Sequence, residues 1–316
     1  MKKILITGAS GFIGSHLNKT LKKKNYQTIP LGFSNLKNNI IKCDLLNKNK
    51  VNNLLNGVEC IIHCAGYSNT SKYPNFKKKQ KIWKSNYYTS KKLIEFAKNK
   101  KVRKFIFLSS SKVVNENSKK IIKENSKLTP KTEYSKSKLK SEKFLLKFGR
   151  ENNIDVICLR PTLVYGNGCK NYINTIYKFT RINLMLNFNK INNIISLIHI
   201  DDLCEAIFRV LISKKKRKKV FLISGPKNIS ISEICLLINK NLSKKMLKIN
   251  LSKNFLVNVS YVLNKCRFLL FFVKINSLID KLLLSSYYTS EEFTKFYNWK
   301  PKIYPFNGFN KMIKNK

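Results

Sequence analysis

Tyr134 and Lys138 stand four residues apart at the head of an apolar-periodic run that continues through Leu139 and Leu145. On a helix the two share one face. A phenol with a pKa of about 10 is a poor base at neutral pH, and a neighbouring ammonium lowers it. The pair could then take a proton from an alcohol. A tyrosine four residues before a lysine arises by chance in any lysine-rich chain, so its position matters. Tyr134 lies 24 residues beyond Ser110, in a Ser109-Ser110-Ser111 triplet that closes an apolar strand-like run.

A second constellation lies near the N-terminus. Thr7-Gly8-Ala9-Ser10-Gly11-Phe12-Ile13-Gly14 follows the apolar run 2–7 and leads into a helical pattern through Ile13, Leu17 and Leu21. Gly8 permits a tight turn, Gly11 lets backbone amides approach a pyrophosphate, and Gly14 lets the helix pack closely on the sheet. The helix N-terminus supplies partial positive charge to the diphosphate. A dinucleotide in this loop would place an oxidised nicotinamide where hydride can leave a substrate carbon as Tyr134 takes the alcohol proton.

The elements that must position these residues follow a strand–helix rhythm. Apolar runs at 2–7, 26–31, 60–64, 104–109 and 155–159 read as strands, separated by stretches of helical period. Pro30 suits an edge or a strand end. Repetition of this kind demands a parallel sheet with right-handed crossovers and helices on both faces. Beyond about residue 165 short strands (194–200, 220–224) alternate with helical pieces (202–211, 232–239). The predicted fold is α/β: a Rossmann-like doubly wound parallel sheet (residues 1–165) with a smaller mixed α/β C-terminal substrate domain (166–316). Some of the later chain is expected to cross back to the first domain.

Composition removes several classes. The 316 residues carry 63 Lys plus Arg against 16 Asp plus Glu, a formal charge of +47, yet 43% are hydrophobic and 11% aromatic. That apolar content supports a core and argues against wholesale disorder. Eleven Gly, seven Pro and eight scattered Cys exclude collagen and disulfide scaffolds. Cys60 and Cys64 lack zinc-site spacing, so no metal is expected. The N-terminal apolar stretch is too short for a signal peptide. The longest apolar run, 268–273, is far below the roughly 20 residues of a membrane span. A cytoplasmic protein is expected. The basic residues are spread along the chain, which points to no specific nucleic-acid site and to weak electrostatic attraction to anionic surfaces. The apolar, basic stretch 255–284 reads either as helices covering the substrate domain or as an amphipathic membrane-surface element.

Taken together the motifs resemble the extended short-chain dehydrogenases of the NAD-dependent epimerase/dehydratase family, whose members act on nucleotide sugars. The resemblance is carried by the glycine loop, Cys43-Asp44-Leu45, Ile61-Ile62-His63-Cys64-Ala65-Gly66, Asn86, the serine triplet, Tyr134 and Lys138. It continues through Leu159-Arg160-Pro161-Thr162-Leu163-Val164-Tyr165-Gly166, Ile198-His199-Ile200-Asp201-Asp202-Leu203 and Trp299-Lys300-Pro301, and so spans nearly the whole chain. It implies a catalytic set of Ser110, Tyr134 and Lys138. It also implies an NAD site of Gly8, Gly11, Phe12, Ile13, Gly14, Asp44, Leu45, Ala65, Gly66, Asn86, Tyr134, Lys138 and Pro161. Gapless comparison puts the catalytic hydroxyl at Ser110, and a slip of one residue would move it to Ser111. Substrate contacts are expected from Ser110, Ser111, Lys170 and Asn171.

Departures from the family pattern are informative. Leu163 stands where UDP-galactose 4-epimerases have Asn, and Ile195 where they have a substrate-binding Arg. Gly32 stands where an acid would bind the ribose 2′-hydroxyl, so NADP is not repelled, although no Arg awaits its phosphate. Ser34 and Lys37 are the nearest groups that could meet one. The resemblance implies a UDP-sugar substrate and a UDP-glucose 4-epimerase-like reaction by transient C4 oxidation, in surface-polysaccharide sugar metabolism. The alternatives are an NAD(P)H-dependent 4-keto reductase or dehydrogenase of a UDP-linked deoxysugar, and a non-catalytic dinucleotide- or RNA-binding protein. A homodimer through the helices beside the sheet is implied by the same analogy.

Overall fold

The computed structural model of the chain describes residues 3–34, 39–68, 74–115, 117–188, 191–215, 219–240, 247–265 and 270–314. Lys37 lies outside the described residues. The first part runs β1 (Lys3–Thr7), α1 (Phe12–Lys23), β2 (Gln27–Gly32), β3 (Ile41–Lys42), α2 (Lys48–Leu54) and β4 (Val58–His63). α3 (Phe76–Trp83) passes through one π turn, Lys84–Tyr88, into α4 (Thr89–Ala97). β5 (Lys104–Leu108), a 3₁₀ turn at Ser111–Val113, β6 (Ser118–Ile122), α5 (Glu133–Glu151) and β7 (Asp155–Pro161) follow. Next come β8 (Leu163–Tyr165), α6 (Tyr172–Arg181), β9 (Leu184–Asn187), β10 (Leu197–His199), α7 (Ile200–Ile212) and β11 (Val220–Ile223). The chain finishes with α8 (Ile231–Lys240), β12 (Leu247–Asn250), α9 (Lys253–Lys265), α10 (Leu270–Leu283), β13 (Ser286–Tyr288), α11 (Glu291–Tyr297) and α12 (Pro305–Lys314).

Seven strands form one parallel sheet in the order β11-β7-β5-β4-β1-β2-β3. Alternate residues of each strand feed two cores. Ile4 and Ile6 pack with Leu17 and Leu21 of α1 and Ile207 of α7, whereas Leu5 packs with Leu93 of α4 and Leu145 of α5. Burial on both faces is what makes these strands continuous apolar runs. A third core, including Ile173, Ile176, Ile234 and Phe309, holds the C-terminal lobe together.

Three features depart from the linear reading. The run at 220–224 is the sheet's edge strand β11, which is the expected crossing back of later chain to the first domain, although the linear pattern did not mark which strand would do it. The strand expected at 194–200 shrinks to Leu197–His199, with Ile195 in isolated bridges to Ile229 and Ser286. The two-residue β3 has no apolar run to announce it and pairs only with Leu31 and Gly32. Pro30 therefore sits where β2 still has an open outer edge.

The strand order reverses between β1 and β4, and the crevice beyond their carboxyl ends is where open α/β sheets take ligands. No helix among the described residues is long and apolar enough to cross a membrane. Among the described residues seven cysteines are free thiols, and no group of three metal-ligating side chains occurs.

Candidate active site

The glycine loop leaves β1 at this reversal point. Gly8 has φ +68°, which a side chain would strain, and a Cβ there would stand 2.7 Å from Ala65 N. A Cβ on Gly14 would stand 2.3 Å from Gly8 O. The loop is folded back on itself by Gly11 N to Gly8 O at 2.9 Å. Gly11 is the N-cap of α1 and supplies no side-chain cap, and no acid sits in the first turn. The first amides of α1 are thus offered to an anion, beside Ala65 and Gly66 at the end of β4.

A buried chain of hydrogen bonds ties this loop to the next elements. Ala65 N donates to Thr7 Oγ1 (3.2 Å), Thr7 Oγ1 meets His63 Nδ1 (2.6 Å), and His63 Nε2 meets Ser90 Oγ (2.8 Å). Ser90 Oγ in turn donates to Asn86 O. The last donation obliges His63 Nε2 to carry the proton and Nδ1 to accept from Thr7. Complete burial pushes His63 down to about 3, so the ring is neutral. His63 is therefore a connector between β1, β4 and α4.

Asn86 lies in the π turn between α3 and α4 and is fully buried. Its Oδ1 accepts from Tyr67 N (2.8 Å), and its Nδ2 donates to Ser137 Oγ (3.0 Å). Ser137 Oγ donates to Tyr134 O at 2.8 Å. Gly66 packs into the same corner, where a Cβ would stand 2.8 Å from Asn86 Oδ1 and 3.3 Å from Lys138 Nζ.

Tyr134 and Lys138 are one turn apart at the start of α5. Thr132 and Ser135 form a reciprocal cap there, and Trp83 Nε1 donates to Glu133 Oε2 at 2.8 Å. Tyr134 is half-buried and Lys138 is 4% exposed. The Lys138 ammonium donates to Leu108 O at 2.7 Å and lies 4.6 Å from the centre of the Phe107 ring. Burial pulls it down to about 8, against a smaller upward pull from Cys64 and Glu142. One turn further on, buried Glu142 accepts two hydrogen bonds from Arg160 of β7, at 2.9 and 2.6 Å.

The serine triplet leaves β5 beside this helix. Ser110 Oγ caps the 3₁₀ turn by accepting from Lys112 N at 3.3 Å. Ser111 is 5% exposed and its hydroxyl has no hydrogen-bond partner among the described residues. Among the described residues Ser109 Oγ is buried and has no hydrogen-bond partner, as is the case for Thr162 Oγ1 just after Pro161.

The remaining expected residues divide clearly. Pro161 ends β7, buried. Asp44 is exposed, accepting from Leu46 N at 3.0 Å, while Leu45 is buried in the core beneath it. Lys170 is exposed. Asn171 is already committed: its Oδ1 caps α6 through Ile173 N (3.0 Å) and its Nδ2 donates to Val164 O (2.8 Å). The loop before it approaches the glycine loop, since a Cβ on Gly168 would stand 3.9 Å from Phe12 Cδ2. The Glu142–Arg160 pair and the His63 relay were not anticipated. An Arg within an otherwise apolar buried strand was the available signal for the pair.

A model of the NAD dependent epimerase/dehydratase family matches residues 4–224. The chain is 27% identical over 241 residues to a UDP-glucose 4-epimerase of Vibrio cholerae, covering 74% of each chain. It is 30% identical over 287 residues to a dTDP-D-glucose 4,6-dehydratase of Dictyostelium discoideum, covering 79% of this chain and 63% of that one. Its fold matches that of a Bacillus cereus UDP-glucuronic acid 4-epimerase solved with UDP-glucuronic acid and NAD. The TM-score is 0.79 at 21% identity, over 98% of this chain and 97% of that one. A UDP-glucose 4-epimerase of Thermotoga maritima solved with UDP-glucose matches at TM-score 0.78 and 20% identity, over 99% and 97%.

Proposed function

The chain belongs to the NAD-dependent epimerase/dehydratase family, and from that premise we propose that it is a UDP-hexose 4-epimerase acting by transient oxidation at C4 of the sugar. Surface-polysaccharide synthesis is the use that this reading gives it. The observation that carries it is the Lys138 ammonium, buried against Leu108 O beside Gly66 and Asn86 and one turn from Tyr134.

The residues present fit a dinucleotide. A Cβ on Gly8 would collide with Ala65 and one on Gly14 with Gly8 O, so glycine is what lets the loop close this tightly, and the first amides of α1 have no side-chain cap. Gly8, Gly11, Phe12, Ile13 and Gly14 would hold the pyrophosphate, Asp44 and Leu45 the adenine end, and Ala65, Gly66, Asn86 and Pro161 the nicotinamide end. Bound there, NAD supplies a reversible hydride acceptor. Buried Gly32 ends β2 with no carboxylate to repel a 2′-phosphate, so NADP remains an alternative.

Tyr134 takes the proton of the C4 hydroxyl and returns it when the product forms. Lys138 favours the phenolate by its charge. Ser111, whose hydroxyl is uncommitted, takes the sugar contact that gapless comparison assigned to Ser110. Lys170 offers a point charge for the substrate diphosphate, and Asn171 acts by fixing the loop that carries it. A homodimer through the outer faces of α4 and α5 is part of the same reading.

Elimination of water between C5 and C6, the dehydratase reaction, needs an acid and a base at those carbons. The segment Ser109 to Asn115 holds no carboxylate. Glu133 and Glu142 are engaged by Trp83 and Arg160. The site therefore favours epimerisation. Purified protein incubated with a panel of UDP-sugars, with and without NAD and NADPH, tests this by product mass and chromatography. Isomerisation without net cofactor consumption supports the proposal. Stoichiometric NADPH use would replace it with a 4-keto reductase, and loss of one water with a dehydratase.

A further inference from the structure

The C-terminal lobe carries an apolar face that the active site does not use. On α9, Phe255 is 54% exposed, Tyr261 63% and Val262 57%. The inner side of the same helix, at Leu256, is buried. Leu247 and Ile249, exposed on β12, lie immediately before α9, with only Leu251 and Ser252 between strand and helix after Asn250. Leu247 N donates to Asn183 O at 2.9 Å, which brings exposed Ile182 to the same border. Isolated exposed apolar residues are ordinary, but a run of this kind over adjoining elements marks a contact surface.

Charge selects the occupant. Between Asp155 and Asp201, and again between Glu233 and Asp280, the sequence holds no Asp or Glu. These are the segments that build the face. Lys178 and Arg181 of α6, Lys248 of β12 and Lys253 of α9, on the elements that build the face, are exposed. An apolar face that shares its elements with exposed cations and has no carboxylate in its own segments is complementary to a lipid headgroup layer bearing negative charge. A soluble acidic partner would account for the cations but not for the aliphatic and aromatic centre.

We propose that the face formed by α9, β12 and the end of α6 docks on the surface of an anionic bilayer, with Phe255, Tyr261 and Val262 entering the headgroup boundary. No helix among the described residues is long and apolar enough to cross a bilayer, so the docking proposed is at its surface. The inference is independent of the sugar chemistry.

Co-sedimentation with vesicles of phosphatidylcholine alone, or mixed with phosphatidylglycerol, reads the docking. Because the net charge of +47 would draw the whole chain to any anionic surface, the decisive comparison is between variants of equal charge. The triple variant Phe255→Ser, Tyr261→Ser, Val262→Ser should lose about tenfold in partitioning to the mixed vesicles. Phe76→Ser, which removes an exposed apolar group on α3, should bind as wild type. Far-ultraviolet circular dichroism and an unchanged melting temperature establish that the triple variant is folded. Equal binding by wild type and a folded triple variant overturns the proposal and leaves charge alone. A folded triple variant that is monomeric where wild type sediments as a dimer also overturns it, assigning the face to a second copy. Should the triple variant not fold, the single Tyr261→Ser, at the most exposed of the three positions, reads the same loss at smaller size.

Discussion

Arg160 grips Glu142 by two parallel hydrogen bonds, Nε to Oε1 at 2.9 Å and Nη2 to Oε2 at 2.6 Å, one helical turn beyond Lys138. Both are almost fully buried, so the pair locks α5 to β7 behind the candidate catalytic lysine. Removing one partner strands a charge in the interior, which costs about 3 to 5 kcal/mol. Glu142→Leu should therefore lose stability of that order in urea unfolding. The double variant Glu142→Leu, Arg160→Met should recover most of it. A single variant as stable as wild type would show that the pair holds nothing in place.

Lys138 titrates in an accessible range. Its folded pKa, about 8, lies below the ordinary lysine value of 10.5 because burial penalises the charge. Between those two values the unfolded chain binds more protons, so this group makes stability rise with pH through that window. Activity should move the other way. The ammonium is the useful form, and kcat/KM, which reports the free enzyme, should fall as pH rises through about 8. Lys138→Arg keeps the charge and should lose that alkaline limb at a reduced rate. A wild-type profile flat across this limb would remove the lysine from the mechanism.

The linear sequence exposed whatever depends on local pattern. Apolar runs announced β1, β4, β5 and β7, and the spacing of Gly8, Gly11 and Gly14 announced the turn between β1 and α1. It concealed whatever depends on pairing across distance. β3 is two exposed residues, Ile41 and Lys42, whose strand character comes wholly from Leu31 and Gly32 alongside. β11 reads like any short strand, and only its register with Cys158 to Pro161 makes it the sheet's edge. Asn171 has the polarity of a ligand-binding residue, but α6 uses it as a cap. Nothing local marks His63 as a connector, because its partners, Thr7 and Ser90, lie 56 residues before it and 27 residues after it.

That histidine gives a stability test. Its folded pKa, about 3, is below the ordinary histidine value of 6.5, so its share of stability is full above about pH 6.5 and is lost as pH falls toward 3. Replacing it also leaves the Thr7 hydroxyl without its acceptor, while Ser90 Oγ keeps Asn86 O. His63→Phe should cost about 1 to 3 kcal/mol at neutral pH and flatten the acid slope of unfolding free energy between those limits. An unchanged slope would place the acid sensitivity elsewhere.

The two serines separate by kinetics. Ser110 Oγ accepts from Lys112 N and caps a turn, so Ser110→Ala should cost about 1 kcal/mol of stability with kcat little changed. Ser111 has its hydroxyl free for a ligand, so Ser111→Ala should lower kcat about tenfold or more with stability unchanged. Tyr134→Phe should lower kcat by about 10² to 10⁴ while the dinucleotide is still bound. The reverse pattern for the serines would restore Ser110 to the sugar contact.

Gly32 ends β2 with no side chain where a carboxylate would meet the ribose, and exposed Phe33 and Ser34 follow it. Nothing charged at that position distinguishes a 2′-hydroxyl from a 2′-phosphate. Gly32→Asp should introduce the distinction, because a carboxylate accepts from the hydroxyl and repels the phosphate. The ratio of NAD to NADP affinity, measured by titration of the purified protein, should rise at least about tenfold, mostly through loss of NADP. Gly32 is not among the positive-φ glycines, so its backbone conformation does not oppose a side chain. Equal ratios in wild type and variant would mean that the adenosine end enters by another route, and the placement of Asp44 and Leu45 beside it would then fall as well.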